Sequence, residues 1–147
     1  MATIRLEPIT EENLRPVLKL KVRDDQTQFV AQNMFSVAEA YVHPDWEPRA
    51  IYADSDLVGF VMMGRDTKTG HDWIIRFMIG AEHQGKGYSK PALLAIIEHL
   101  KHKAYRTEIR LSYVPGNEVA EKLYQKVGFE ATGEVEDGEI IMRLNEA

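Results

Sequence analysis

Gln84-Gly85-Lys86-Gly87-Tyr88-Ser89 lies between two apolar stretches of different periodicity. Upstream, Trp73-Ile74-Ile75-Arg76-Phe77-Met78-Ile79 is rich in β-branched and aromatic residues, the composition of a buried strand. Downstream, Pro91 to Leu100 places Leu93, Ile96, Ile97 and Leu100 on one helical face. A strand that enters a helix through glycines leaves backbone N–H groups unpaired at the positive end of the helix dipole. That geometry suits a phosphate or pyrophosphate. The same loop also serves elsewhere as an ordinary turn, so the rest of the chain has to decide between the two.

The flanking elements read as an α/β mixture. Ile4 and Leu6 alternate as a first strand, and Thr10 is placed to cap a helix carrying Leu14, Val17, Leu18 and Leu20, with Glu11 and Glu12 in its first turn. Pro16 delays or kinks that helix. Ser36-Val37-Ala38-Glu39 has the capping-box pattern and predicts a second helix toward Tyr41, followed by a loop bracketed by Pro44 and Pro48. Arg49–Ala53 and Leu57–Gly64 form a hairpin across Asp54-Ser55-Asp56, and Asp66–Gly70 turns into the Trp73 strand. Beyond the glycine-loop helix, a strand runs from Thr107 to Tyr113 and a helix runs from Asn117 to Val127, ended by Gly128. Phe129–Val135 and Glu139–Leu144 pair across Asp137-Gly138. The expected whole is one domain over residues 1–147, with a mostly antiparallel mixed sheet of about seven strands and about four helices around it.

Composition narrows the function. The chain has 147 residues, 18 basic and 23 acidic, for a formal net charge of −5. That balance argues against nucleic acid or an anionic membrane as the main partner and favours a cationic ligand. With no cysteine there is no disulfide framework, thiolate nucleophile or Cys-type zinc site. His43, His71, His83, His99 and His102 show no metal-ligand spacing, so no metal is expected. The first residues lack the apolar run of a signal peptide and no stretch approaches the ~18 apolar residues of a membrane span, so a cytoplasmic location is expected.

Two motifs together point to a family. Gln84-Gly85-Lys86-Gly87-Tyr88-Ser89 resembles the Q/R-x-x-G-x-G/A loop of the GCN5-related N-acetyltransferases (GNAT). Asn117-Glu118-Val119-Ala120-Glu121-Lys122-Leu123-Tyr124-Gln125-Lys126-Val127-Gly128-Phe129 resembles that superfamily's N-x-x-A-x-x-L-Y-x-x-x-G-F segment. The element order matches as well, so the resemblance covers the whole chain. Val58-Gly59-Phe60, Arg76-Phe77, Leu111-Ser112 and Gly133-Glu134, with the stretch Gln32–Tyr41 and Trp46-Glu47, are further similar to bacterial spermine/spermidine N-acetyltransferases.

The resemblance implies acetyl-CoA as donor, with no metal, and direct attack of a bound amine on the thioester. Gln84, Gly85, Lys86, Gly87, Tyr88 and Ser89 would wrap the CoA pyrophosphate, with Ser89 standing where the family has Gly or Ala and able to cap the helix. Lys86 and Lys90 would meet CoA phosphates or merely face solvent. Phe77, Met78 and Ile79 would splay from Arg110-Leu111-Ser112 and pair with the pantetheine arm, the Met78 amide facing the thioester oxygen. The same residues also read as plain core strand, and both can hold, since backbone binds while side chains pack. Asn117 would reach the pantetheine or simply cap its helix.

Tyr124 would protonate the departing thiolate, since a phenol near pKa ~10 is not far above a thiol at ~8.5; packing as a core tyrosine is the other reading. Freeing a primary amine of pKa ~10.4 for attack at neutral pH costs about 4–5 kcal/mol, which calls for a base. In the polyamine relatives that the chain resembles, an acid commonly sits one place before Arg76, where this chain has Ile75. Glu39, Glu47 and Asp72 are candidate substitutes, and Tyr41 and Trp46 candidate cation–π walls; the ordinary readings are solvated surface charges for the acids and packing of a short helix for the aromatics. The expected substrate is a small cationic amine, first a polyamine such as spermidine or spermine. An aminoglycoside, an amino acid, a protein N-terminus, or a CoA-binding regulatory module with little turnover are the alternatives. A homodimer is also an expectation of the resemblance.

Overall fold

The computed structural model describes residues 2–103 and 108–144. Seven strands form one sheet in the order β1-β2-β3-β4-β5-β7-β6: β1 Ile4–Pro8, β2 Trp46–Ala53, β3 Asp56–Arg65, β4 Asp72–Ile79, β5 Ile109–Tyr113, β6 Glu130–Glu136 and β7 Glu139–Leu144. All neighbours are antiparallel except β4 and β5, which are joined by the crossover through α3 (Ser89–Lys101). Thr107, expected to begin β5, lies outside the described residues.

Strand alternation sends side chains to two cores. On one face Ile51, Val61, Met63, Ile74, Leu111 and Met142 pack with Leu93, Ile96 and Leu100 of α3 and with Tyr124 of α4 (Glu118–Val127). On the other, Ala50, Phe60, Met62 and Met78 pack with Val17 of α1 (Leu14–Lys19) and Val37 of α2 (Asn33–Val42). Helices α1 and α2 cover β2, β3 and the Arg76–Met78 end of β4, and leave the same face open over Trp73 and Ile75 of β4, Ser112 of β5 and Ile141 of β7.

Several boundaries differ from the sequence expectation. Helix α1 starts at Leu14 with Asn13 as N-cap; Thr10 instead closes a turn in which its N–H donates to Asn13 Oδ1 at 2.7 Å and its Oγ accepts from Asn13 N–H at 3.3 Å. The late start puts Pro16 at the third helical position, where a missing N–H costs nothing. Helix α2 opens at Asn33, three residues before Ser36. Asn33 is buried and its Nδ2 donates to the Val17 carbonyl at 2.9 Å, pinning the helix to α1, so Ser36 falls inside the helix and caps nothing. Strand β2 begins at Trp46 and includes Pro48. Its partner β1 reaches only to Arg49, so Pro48 turns its N-less side to an unpaired edge. The hairpin turn is as expected: Asp137 and Gly138 have φ of 52° and 79°, and Gly128 ends α4 at φ 116°.

Candidate active site

The site grows from a fork in the sheet. Strands β4 and β5 pair only at Asp72↔Ile109, Trp73↔Arg110 and Ile74↔Leu111. Opposite β3, the register jumps from Met62↔Arg76 to Met63↔Ile74, so Ile75 is the extra residue of a β-bulge. Such a bulge bends its strand and breaks the ladder. The strands therefore diverge from Ile75 and Ser112 onward, lower than the expected splay, which had included Arg110 and Leu111.

Beyond the fork, alternate residues of β4 present their backbone to β3 or to the opening. The Met78 carbonyl stands where a Cβ on Gly59 would lie, and Gly80 N–H donates to the Val58 carbonyl at 2.8 Å, so Met78 and Gly80 face β3. Phe77 and Ile79 face the opening. The edge on which an oxyanion donor was expected from Met78 thus carries the N–H groups of its two neighbours.

The glycine loop follows at the top of β4. Gly85 and Gly87 have φ of 79° and 82°, values that a side chain would strain. The N–H groups of Gly87, Tyr88, Ser89 and Lys90 meet no backbone acceptor among the described residues. Tyr88 is the N-cap of α3 and makes no side-chain cap bond; Ser89, expected to cap, is the first helical residue. The dipole end is therefore open to an anion, with Lys86 and Lys90 exposed beside it. Gln84 points inward: its Nε2 donates to the Ile79 carbonyl and to Gln26 Oε1, both at 2.9 Å, and its Oε1 accepts from Gln26 Nε2 at 3.2 Å. Gln84 braces the loop against β4 and the 3-10 turn Asp24–Gln26. Asn117 Oδ1 accepts from Ala120 N–H at 3.3 Å, so it does cap α4.

Tyr124 projects from α4 into the larger core, between Tyr113 and Phe129 at ring separations of 6.4 and 6.1 Å. Burial, with the charge of Glu139, pushes its phenol up to about 12. The group is held protonated, ready to donate. Passing that proton to a thiolate of ordinary pKa ~8.5 costs about 5 kcal/mol, well inside the roughly 16 kcal/mol barrier of a turnover near 10 s⁻¹.

On the open face lies a cavity of about 410 Å³. Ile75 and Trp73 of β4, Ser112 of β5 and Ile141 of β7 form its floor, and His43 and Trp46, stacked at 3.9 Å, form one wall. Five carboxylates line it (Asp45, Asp66, Glu136, Asp137, Glu139) against one guanidinium, Arg65. Glu139 Oε1 accepts from Ser112 Oγ at 2.9 Å.

Of the five residues considered for the acceptor side, Trp46 lines this cavity and four lie elsewhere. Glu39 pairs with Arg76 at 3.2 Å. Tyr41 is 89% exposed on α2. Glu47 turns to the α3 side, held by Arg49 at 2.7 Å and by His99 and Lys103 at 3.0 Å each. Asp72 is buried on the face of Ile74. Glu139 and Ser112 went unread as site residues. Their faces were legible, since each alternates with buried neighbours, but their meeting depends on the β5–β7 register.

A forked mixed sheet, a glycine loop on a helix N-terminus and a buried tyrosine behind the fork define an acetyltransferase fold, and this chain belongs to the acetyltransferase (GNAT) family, whose model matches residues 14–129. It is 33% identical over 95% of its length to the spermine/spermidine N(1)-acetyltransferase of Bacillus subtilis strain 168, covering 97% of that protein. Among solved structures it superposes on an aminoglycoside acetyltransferase in complex with coenzyme A (TM-score 0.81, 21% identity, 97% of this chain and 95% of that one). It also superposes on a Vibrio cholerae spermidine N-acetyltransferase in complex with CoA and spermine (TM-score 0.75, 16% identity, 95% and 92% covered). Among the described residues no helix is long and apolar enough to cross a membrane.

Proposed function

We propose that the protein transfers the acetyl group of acetyl-CoA directly to a primary amine of a polyamine such as spermidine or spermine. The observation that carries the acceptor class is the cavity at the fork, with five carboxylates to one guanidinium and a stacked aromatic wall. A chain of ammonium groups is the ligand such a surface attracts, by long-range charge and by cation–π contact with Trp46. The likeness to the Bacillus enzyme supports the same class.

On the donor side, the free N–H groups of the glycine loop take the pyrophosphate, with Lys86 and Lys90 near the remaining phosphate charge. The pantetheine arm enters the fork beside the Phe77 backbone and the Ile79 N–H, the Ile79 carbonyl being taken by Gln84. An N–H on this edge meets the thioester oxygen as negative charge develops there. Tyr124 then protonates the sulfur. Cytoplasmic action and assembly as a homodimer belong to the same reading.

The test is thiol release from acetyl-CoA across a panel of spermine, spermidine, putrescine, an aminoglycoside and amino acids. Polyamines should give the highest kcat/KM. Saturable acetyl-CoA binding with no turnover of any amine would instead make the chain a CoA-binding module.

A further inference from the structure

We propose that Glu139 receives the acceptor's ammonium group and takes its proton, supplying from β7 the acid that Ile75 does not provide on β4. This role rests on the amine acetyltransferase reading above.

Several observations converge on it. Ile75 and Ser112 are the first residues beyond the last paired rung, Ile74↔Leu111, so they flank the mouth of the fork. Ser112 pairs with Ile141 on β7, and Glu139 lies two residues along that strand on the same face. The Ser112 hydroxyl then holds one oxygen of the Glu139 carboxylate at 2.9 Å, which ties the acid to the fork. No cation pairs with Glu139 among the described residues, and it is the cavity carboxylate whose charge is felt by Tyr124. The other acids are less suited. Asp45, Glu136 and Asp137 are exposed at the rim. Asp66 belongs to the turn after β3, where it accepts from Lys68 N–H at 2.9 Å, and to neither strand of the fork nor its neighbour β7.

The proton count closes. The ammonium gives one proton to Glu139, and the freed lone pair forms the C–N bond at the thioester carbon. The adduct collapses with cleavage of the C–S bond, whose electrons go to sulfur, and Tyr124 protonates that sulfur. The surplus proton on nitrogen restores the phenol, and Glu139 releases its proton to solvent through the open cavity. One proton ends on the CoA thiol and one in water.

Glu139→Gln keeps the shape and the Ser112 bond while removing the base. With the best amine of the panel, kcat should fall about 100-fold at neutral pH. Acetyl-CoA affinity, read by equilibrium titration, should stay unchanged. The deficit should shrink as pH rises toward the amine's own pKa, because free amine then no longer needs the carboxylate. His43 and Arg65 across the cavity, Asp45 and Asp66 beside them, Glu136 and Asp137 on the hairpin, and Tyr124 behind the fork also titrate or carry charge around Glu139. The comparison is therefore the mutant-to-wild-type ratio at each pH. Glu139→Asp should recover part of the loss. A Gln variant within threefold of wild type at neutral pH, or a deficit independent of pH, overturns the role while leaving the acetyltransferase reading intact. A wild-type protein that turns over no amine overturns both.

Discussion

Glu47 on β2 and Glu139 on β7 are the same side chain on opposite faces of one sheet. Glu47 faces α3, where burial pushes its carboxyl up but the bond and charge of Lys103, with His99 and Arg49, more than offset this and hold it below the usual 4.5. Glu139 faces the cavity, with a serine hydroxyl as its partner and open space beyond. The first carboxylate is saturated by the fold's own cations and has nothing left for a ligand. The second is positioned but not neutralised. An acid's usefulness to a substrate is decided by how many of its interactions the fold has already used.

The largest effect should come from Tyr124, which is coupled to one of these acids and not to the other. Tyr124→Phe preserves the ring packing against Tyr113 and Phe129, and kcat should drop about 100- to 1000-fold with acetyl-CoA affinity intact. An unchanged kcat at every pH would leave Tyr124 as a core residue alone.

Glu47→Gln should do the reverse, costing about 2 kcal/mol of unfolding free energy in urea while kcat stays within twofold. Because the folded carboxyl titrates below its ordinary value of 4.5, this stabilisation is present above that pH and disappears as pH falls through the folded value. Variant and wild type should therefore converge in stability in acid. A large kcat loss would show that the saturated acid also serves the reaction.

Gly64→Ala should act on the cavity side only. Its Cβ would lie 2.6 Å from Trp46 Cδ1 and 2.7 Å from Ile75 Cδ1, pushing both into the acceptor space. The amine KM should rise about tenfold, by roughly 1.4 kcal/mol, with acetyl-CoA KM unchanged. The smallest effect is that of salt. Going from low ionic strength to about 0.5 M should raise KM for spermine about threefold and for a monoamine less, since the exposed rim acids are screened. Equal responses would mean that the rim carboxylates take no part.

Local signals made most of this legible. Glycines at 85, 87 and 128 and the Asp137-Gly138 pair require backbone angles that few other residues adopt, and each turn lies where they predict it. Alternation and helical periodicity gave the strands and the buried faces of α3 and α4. The misplacements were at Thr10, Ser36 and Pro48, where a packing contact or a sheet edge outweighed a local preference. Least legible was the fork. The bulge at Ile75 follows from the pairing of β4 with β3, and the Ser112–Glu139 bond follows from β7 lying beside β5. Both depend on which strands become neighbours, which no short window of sequence contains.

Strand β7 lies between β5 and β6 although it follows both in the chain. During synthesis, then, β5 has one bare edge and β6 has no sheet to join until Glu139–Leu144 has emerged and folded back. A nascent chain that stops short of this strand can already have its glycine loop and α3, yet it lacks Glu139 and Ile141. The glycine loop is made before the acceptor cavity is complete, and closing the sheet is the same event that finishes the cavity floor.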